Sequence, residues 1–120
     1  MKDIELHVGY DPAAAKARIL DAIRRAEADE IAAERHVTFE SWDGLARTLS
    51  GKRLELLRHV RREPAGSIAE LARALGRDYK RVHEDVEILA TAGLLDRTDS
   101  GGIRAGYDEI RTSISLVPAA

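Results

Sequence analysis

Apolar and charged residues alternate from Lys2 to Val8, with Ile4, Leu6 and Val8 on one face and Asp3, Glu5 and His7 on the other, which predicts a half-buried strand. Asp11-Pro12 then supplies an N-cap followed by proline at the first helical position. Nothing from Pro12 to about Arg35 breaks a helix, and at about 1.5 Å per residue the predicted helix runs roughly 36 Å. Its apolar residues, Ala15, Ile19, Leu20, Ile23, Ala26 and Ile31, make a thin, irregular stripe. Such a helix lies across the domain or packs on a partner's copy, and the stripe favours the partner. His36-Val37-Thr38-Phe39 predicts a short strand that pairs with the first strand or with one near the C-terminus.

Ser41 is placed to cap a short helix through about Leu49, with Trp42 as its packing anchor beside Leu45, Ala46 and Leu49. Ser50 is placed to cap the next, Lys52 to Arg62, in which Leu54, Leu57 and Val60 recur at helical spacing. Glu63-Pro64 ends it, because proline disfavours helix in the residue before it. Ser67 and Glu70 then form a capping box directly before Ile68, Leu71, Ala72 and Leu75. Gly76 suits a left-handed C-terminal turn, and Asp78 caps a helix over about 78–92 whose buried stripe is Val82, Val86 and Leu89.

Two helices joined by so short a turn, with small Ala72 at the close approach, predict a helix-turn-helix. The outward face of the second helix carries Tyr79, Lys80, His83, Glu84 and Glu87, flanked by Arg77 and Arg81. Its first half, RDYKRVH, is basic and aromatic and suits entry into a DNA groove, while EDVE is acidic and is expected to face solvent. Turn residues crowd Asp96 to Arg104, which predicts a hairpin in the position of a wing. Arg97 and Arg104 there are placed to reach a phosphate or the minor groove; solvated arginines on a plain surface hairpin are the alternative. Tyr107 to Val117 alternates again around Ile110, Thr112, Ile114 and Leu116, a further strand.

Charge adds to this picture. The 120-residue chain has a formal net charge of −2, but Arg47 to His83 holds ten Lys or Arg against four Asp or Glu, a local balance of +6. Phosphate contact depends on such local charge, although solvated helix faces also produce it. The absence of cysteine rules out disulfides and thiolate metal sites and fits a reducing, cytoplasmic setting. No apolar run approaches the roughly 20 residues of a membrane span.

Catalytic chemistry finds no support. The four histidines, His7, His36, His59 and His83, are scattered, and HEDVE at His83 lacks the second histidine of an H-E-x-x-H zinc motif. SGKR and GIRAG lack the surroundings of a phosphate loop, and no nucleophile with a positioned base emerges. The expectation is a non-enzyme without cofactor or metal.

The stretch RHVTFESWDGLARTLSGKRLELLRHVRREPAGSIAELARALGRDYKRVHEDVEILATAGLL resembles a family of small prokaryotic, notably archaeal, MarR-like winged-helix regulators, some of them antitoxins of type II toxin–antitoxin pairs. SIAELARALGRDYKRVHEDVEILATAGLL is the most specific part, supported by HVTF and KRLELLR, and the likeness covers about Arg35 to Leu116. It implies a winged helix, dimerisation and, in antitoxin members, a small toxin partner; its recognition segment falls on Arg77 to His83.

The expected fold is therefore α+β, mainly α: a winged helix-turn-helix with a long N-terminal helix and a few short accessory strands. Residues 1–35 form a dimerisation or partner arm and 36–120 the DNA-binding domain. The expected function is a dimeric, sequence-specific transcriptional regulator of double-stranded DNA, contacting it through Ser67, Arg77, Tyr79, Lys80, Arg81, His83, Arg97 and Arg104. The alternative is an antitoxin that binds a small toxin and autoregulates its operon.

Overall fold

Strand β1 (Asp3–Val8) buries Ile4 and Leu6 completely or nearly so, while Glu5 and His7 on the opposite face stay partly exposed. It is the central strand of a three-stranded sheet in a computed structural model that describes residues 3–9, 12–27, 34–114 and 116. Strand β2 (Glu34–Phe39) pairs with one edge of β1 and strand β5 (Glu109–Thr112) with the other, both in parallel. Parallel neighbours cannot be joined by a tight turn. Helix α1 (Pro12–Glu27) occupies the β1–β2 crossover, and all the remaining helices lie between β2 and β5.

Those helices are α2 (Trp42–Thr48), α3 (Gly51–Arg62), α4 (Ile68–Leu75) and α5 (Tyr79–Thr91), followed by the two-stranded antiparallel hairpin β3 (Asp96–Arg97) and β4 (Ile103–Arg104). Four of the predicted caps form. Ser41, Ser50, Ser67 and Asp78 side-chain oxygens accept from the backbone N–H of Gly44, Arg53, Glu70 and Arg81, satisfying donors that each helix start leaves orphaned. Leu56 and Val60 of α3, Leu71 of α4, Val82, Val86 and Leu89 of α5, Leu94 and Ile103 join Ile4 and Leu6 in one core. Ala65 and Ile103 exchange backbone hydrogen bonds of 3.0 and 2.8 Å, tying the α3–α4 linker to the hairpin.

Three expectations need correction. The fold is not a winged helix with a long N-terminal helix: behind the expected strand β1, helix α1 spans Pro12–Glu27, and Glu34 and Arg35, expected at the end of that helix, are extended and open β2. The helix preference of Glu34 and Arg35 is overruled because they pair with Asp3 and Ile4 and so extend the expected strand along the whole of β1, to Val8–Phe39. The strands are accordingly a continuous parallel sheet and not short accessories; residues 28–33, part of the predicted helix, lie outside those described. Trp42 is no packing anchor either, being 43% exposed, because the short α2 turns Leu45 and Leu49 toward the core instead. Nor are all four histidines apart, since the β1–β2 register brings His7 against His36.

Two substitutions probe this core. Leu71→Ala removes a fully buried side chain and should lower unfolding free energy by about 2–5 kcal/mol in urea titration. Tyr107 donates a 2.8 Å hydrogen bond to the Leu94 carbonyl, and burial, with Asp96 adding and Arg35 opposing, pushes its pKa up to about 12. A pKa raised above the ordinary value of about 10 gives a contribution fully present below about pH 10 and lost as pH climbs through about 12. Urea midpoints of the wild type should therefore fall over that interval, whereas Tyr107→Phe should show no such additional loss.

Candidate nucleic-acid interface

The α4–α5 turn sets the direction in which α5 starts. Ser67 starts α4 by capping, and the Glu70 carboxylate reaches back to the Gly66 N–H at 3.0 Å. Gly76 then takes φ +63, the left-handed conformation that lets the chain leave α4 at once. Two residues later Asp78 opens α5. Burial of Val82, Val86 and Leu89 fixes which side of α5 faces inward.

Asp85 is the fourth member of that inward face and the buried acid of the core. Its Oδ1 accepts from Arg53 Nε at 3.0 Å and its Oδ2 from Arg77 Nη2 at 2.7 Å. Arg53 in turn donates to the carbonyls of Arg47 and Thr48 at the end of α2. A carboxylate taken from water is costly unless paired and hydrogen-bonded, and two guanidinium partners meet that need. The expectation that EDVE faces solvent thus fails at Asp85, while Glu84 and Glu87 are exposed as expected. The signal lay in the spacing: 82, 85, 86 and 89 share one helical face.

This cluster also decides which predicted contacts face outward. Arg77 turns inward to Asp85 with its side chain only 18% exposed, so it serves the fold. Tyr79, Lys80, Arg81 and His83 occupy the first turns of α5 and are all exposed. Tyr79 and His83 lie one turn apart with ring centroids 6.0 Å apart and tilted by 41°. Lys80 and Arg81 have no ion-pair partner among the described residues. Ser67 is exposed, its oxygen accepting the cap hydrogen bond while its hydroxyl hydrogen stays available.

In the hairpin, Arg97 reaches back to Glu87 of α5 at 3.2 Å, which offsets its charge. Arg104 is exposed and without an ion-pair partner among the described residues. The hairpin tip is ordered by Thr98, whose backbone N–H donates to the Gly102 carbonyl at 2.9 Å while its hydroxyl accepts from the Gly102 N–H at 2.8 Å. Among the described residues the arrangement offers a helix end with two cations that lack an ion-pair partner, an exposed phenol and an imidazole, beside a hairpin with one further such cation.

Stability measurements should separate the arginines. Asp85→Ala leaves two guanidinium groups unpaired inside the protein and should cost about 3–5 kcal/mol. Arg81→Ala should change stability by no more than about 0.5 kcal/mol, as expected of an exposed side chain without partners.

A family profile named HVO_A0114 matches residues 48–112, more than half of the chain and including α3, α4, α5, the hairpin and β5. No curated protein and no solved structure matches the chain. The match thus covers α5 and the hairpin, which carry these exposed side chains, and the chain belongs to the HVO_A0114 family.

Proposed function

We propose that the protein is a sequence-specific DNA-binding transcriptional regulator that acts as a homodimer in the cytoplasm and has no catalytic activity. The first turns of α5 enter the major groove, with Tyr79 and His83 toward base edges and Lys80 and Arg81 toward phosphates. The hairpin over residues 96–104 lies on the backbone or in the minor groove, where Arg104 is the unpaired cation. The observation that carries this reading is the exposure of Tyr79, Lys80, Arg81 and His83 on a helix whose opposite face is locked into the core. Among the described residues no helix is long and apolar enough to cross a membrane, which is compatible with this setting.

One observation favours a second reading. Ile19, Leu20 and Ile23 of α1 are 50–61% exposed, an apolar surface on which a protein partner could bury itself. In the antitoxin reading that partner is a small toxin, and DNA binding is autoregulation. Coexpression with a small protein encoded next to it distinguishes the two: a solitary regulator copurifies with nothing.

DNA binding is tested by fluorescence anisotropy with the upstream DNA of its own gene against random duplex. A preference for the upstream DNA at moderate salt is expected, and its absence overturns the regulator reading. The Lys80→Ala/Arg81→Ala pair should weaken binding to all duplexes and reduce the slope of log affinity against log salt by about 2, one per lost phosphate contact. Tyr79→Ala should instead alter the preference among sites and leave that slope unchanged.

A further inference from the structure

The parallel register of β1 and β2 assembles three metal-type donors on the sheet face opposite Ile4 and Leu6. Glu5 and His7 are two residues apart on β1 and therefore share a face. His36 is the direct partner of Glu5 across the pair. His7 Nε2 lies 2.8 Å from His36 Nδ1. Glu5 Oε2 lies 3.9 Å from the first and 3.8 Å from the second. The rings stack with centroids 5.1 Å apart and only 21° between their planes.

We propose that Glu5, His7 and His36 form a binding site for a divalent transition metal ion of the zinc class. Two imidazoles and a carboxylate select zinc, nickel, cobalt or copper over magnesium and calcium, which favour oxygen-only surroundings. Zinc sits about 2.0–2.1 Å from such donors, so tetrahedral ligand atoms stand roughly 3.3–3.5 Å apart. The three separations bracket that range, and small side-chain rotations bring the donors onto one ion. Three protein ligands leave one position for water.

The surroundings of His7 favour its neutral form. Burial lowers the pKa of His7, Arg18 and His36 lower it further, and Glu5 opposes them. A metal binds imidazole only in its deprotonated form, and the proton shared between the two facing ring nitrogens must give way to the ion. Arg18 of α1 is a positive charge that an incoming cation must face, and the Glu5 carboxylate offsets it. An ion held here would clamp β1 to β2, across the two strands that α1 connects. This site is independent of the DNA-binding reading, since none of its residues lies on α5 or in the hairpin.

The test uses the untagged full chain, stripped with a chelator and titrated with Zn²⁺ by calorimetry and with Co²⁺ by visible absorption. Saturation at one ion per chain, Co²⁺ d–d bands and a higher melting temperature with Zn²⁺ are expected. Loss of a ligand's supporting partner alone typically costs about 10–100-fold in affinity. His7→Ala and His36→Ala, which remove a ligand outright, should each exceed about 100-fold. His59→Ala and His83→Ala should leave the affinity unchanged. Absence of saturable binding to the stripped wild type overturns the proposal, whatever the variants do. So does binding that survives undiminished in a His7→Ala/His36→Ala chain shown to be folded by circular dichroism.

Discussion

The carboxylate of Asp85, held between Arg53 and Arg77, is the constraint on which the helical part of the structure depends. An acid on the buried face of a helix is tolerated only where cations and hydrogen bonds replace its lost water. Here the two cations come from the start of α3 and from the turn before α5, and Arg53 also ties down the carbonyls that end α2. One side chain therefore locks together α2, α3, the α4–α5 turn and α5. It sets the rotation of α5 about its own axis and, through that, which residues point outward. Tyr79, Lys80, Arg81 and His83 are available because Val82, Asp85, Val86 and Leu89 are engaged on the opposite side.

The sheet imposes a different order at the other end of the chain. With β1 in the middle, its two edges are occupied by β2 and β5, and its two faces do different work. Ile4 and Leu6 complete the helical core, while Glu5 and His7 meet His36 on the other side. Arg111 reaches Asp3 at 2.7 Å and the Thr112 hydroxyl donates to the Leu6 carbonyl at 3.1 Å, so β5 is fastened to β1 by side chains as well as by its ladder. The exposed Ile19, Leu20 and Ile23 leave α1 with apolar surface that the described residues do not cover.

Much of the exposed face of α5 is legible in the sequence. Ser67, Gly76 and Asp78 mark the ends of α4 and α5, and each does in the structure what its side chain or its missing Cβ suggested. The identity of the exposed α5 residues followed from the spacing of Val82, Val86 and Leu89. Arg77 and Asp85 escape a reading that places charged residues in water, because each turns inward to a partner that only the fold supplies. Trp42 departs from expectation for the converse reason: aromatic residues are usually buried, but a seven-residue helix leaves this one exposed.

What the sequence by itself determined are the features whose causes act within one helical turn. A cap oxygen and its N–H are three residues apart, and a left-handed glycine acts on its own backbone. Only the tertiary structure decided that Glu34 and Arg35 leave a run of helix formers and lengthen the strand expected over 36–39, because the ladder with β1 outweighs propensities of less than about 1 kcal/mol per residue. It also decided that Arg53 finds Asp85 across 32 positions, and that His7 finds His36 across 29. Residues so far apart meet only when the chain has folded, so neither pairing leaves a trace in the local pattern of either partner.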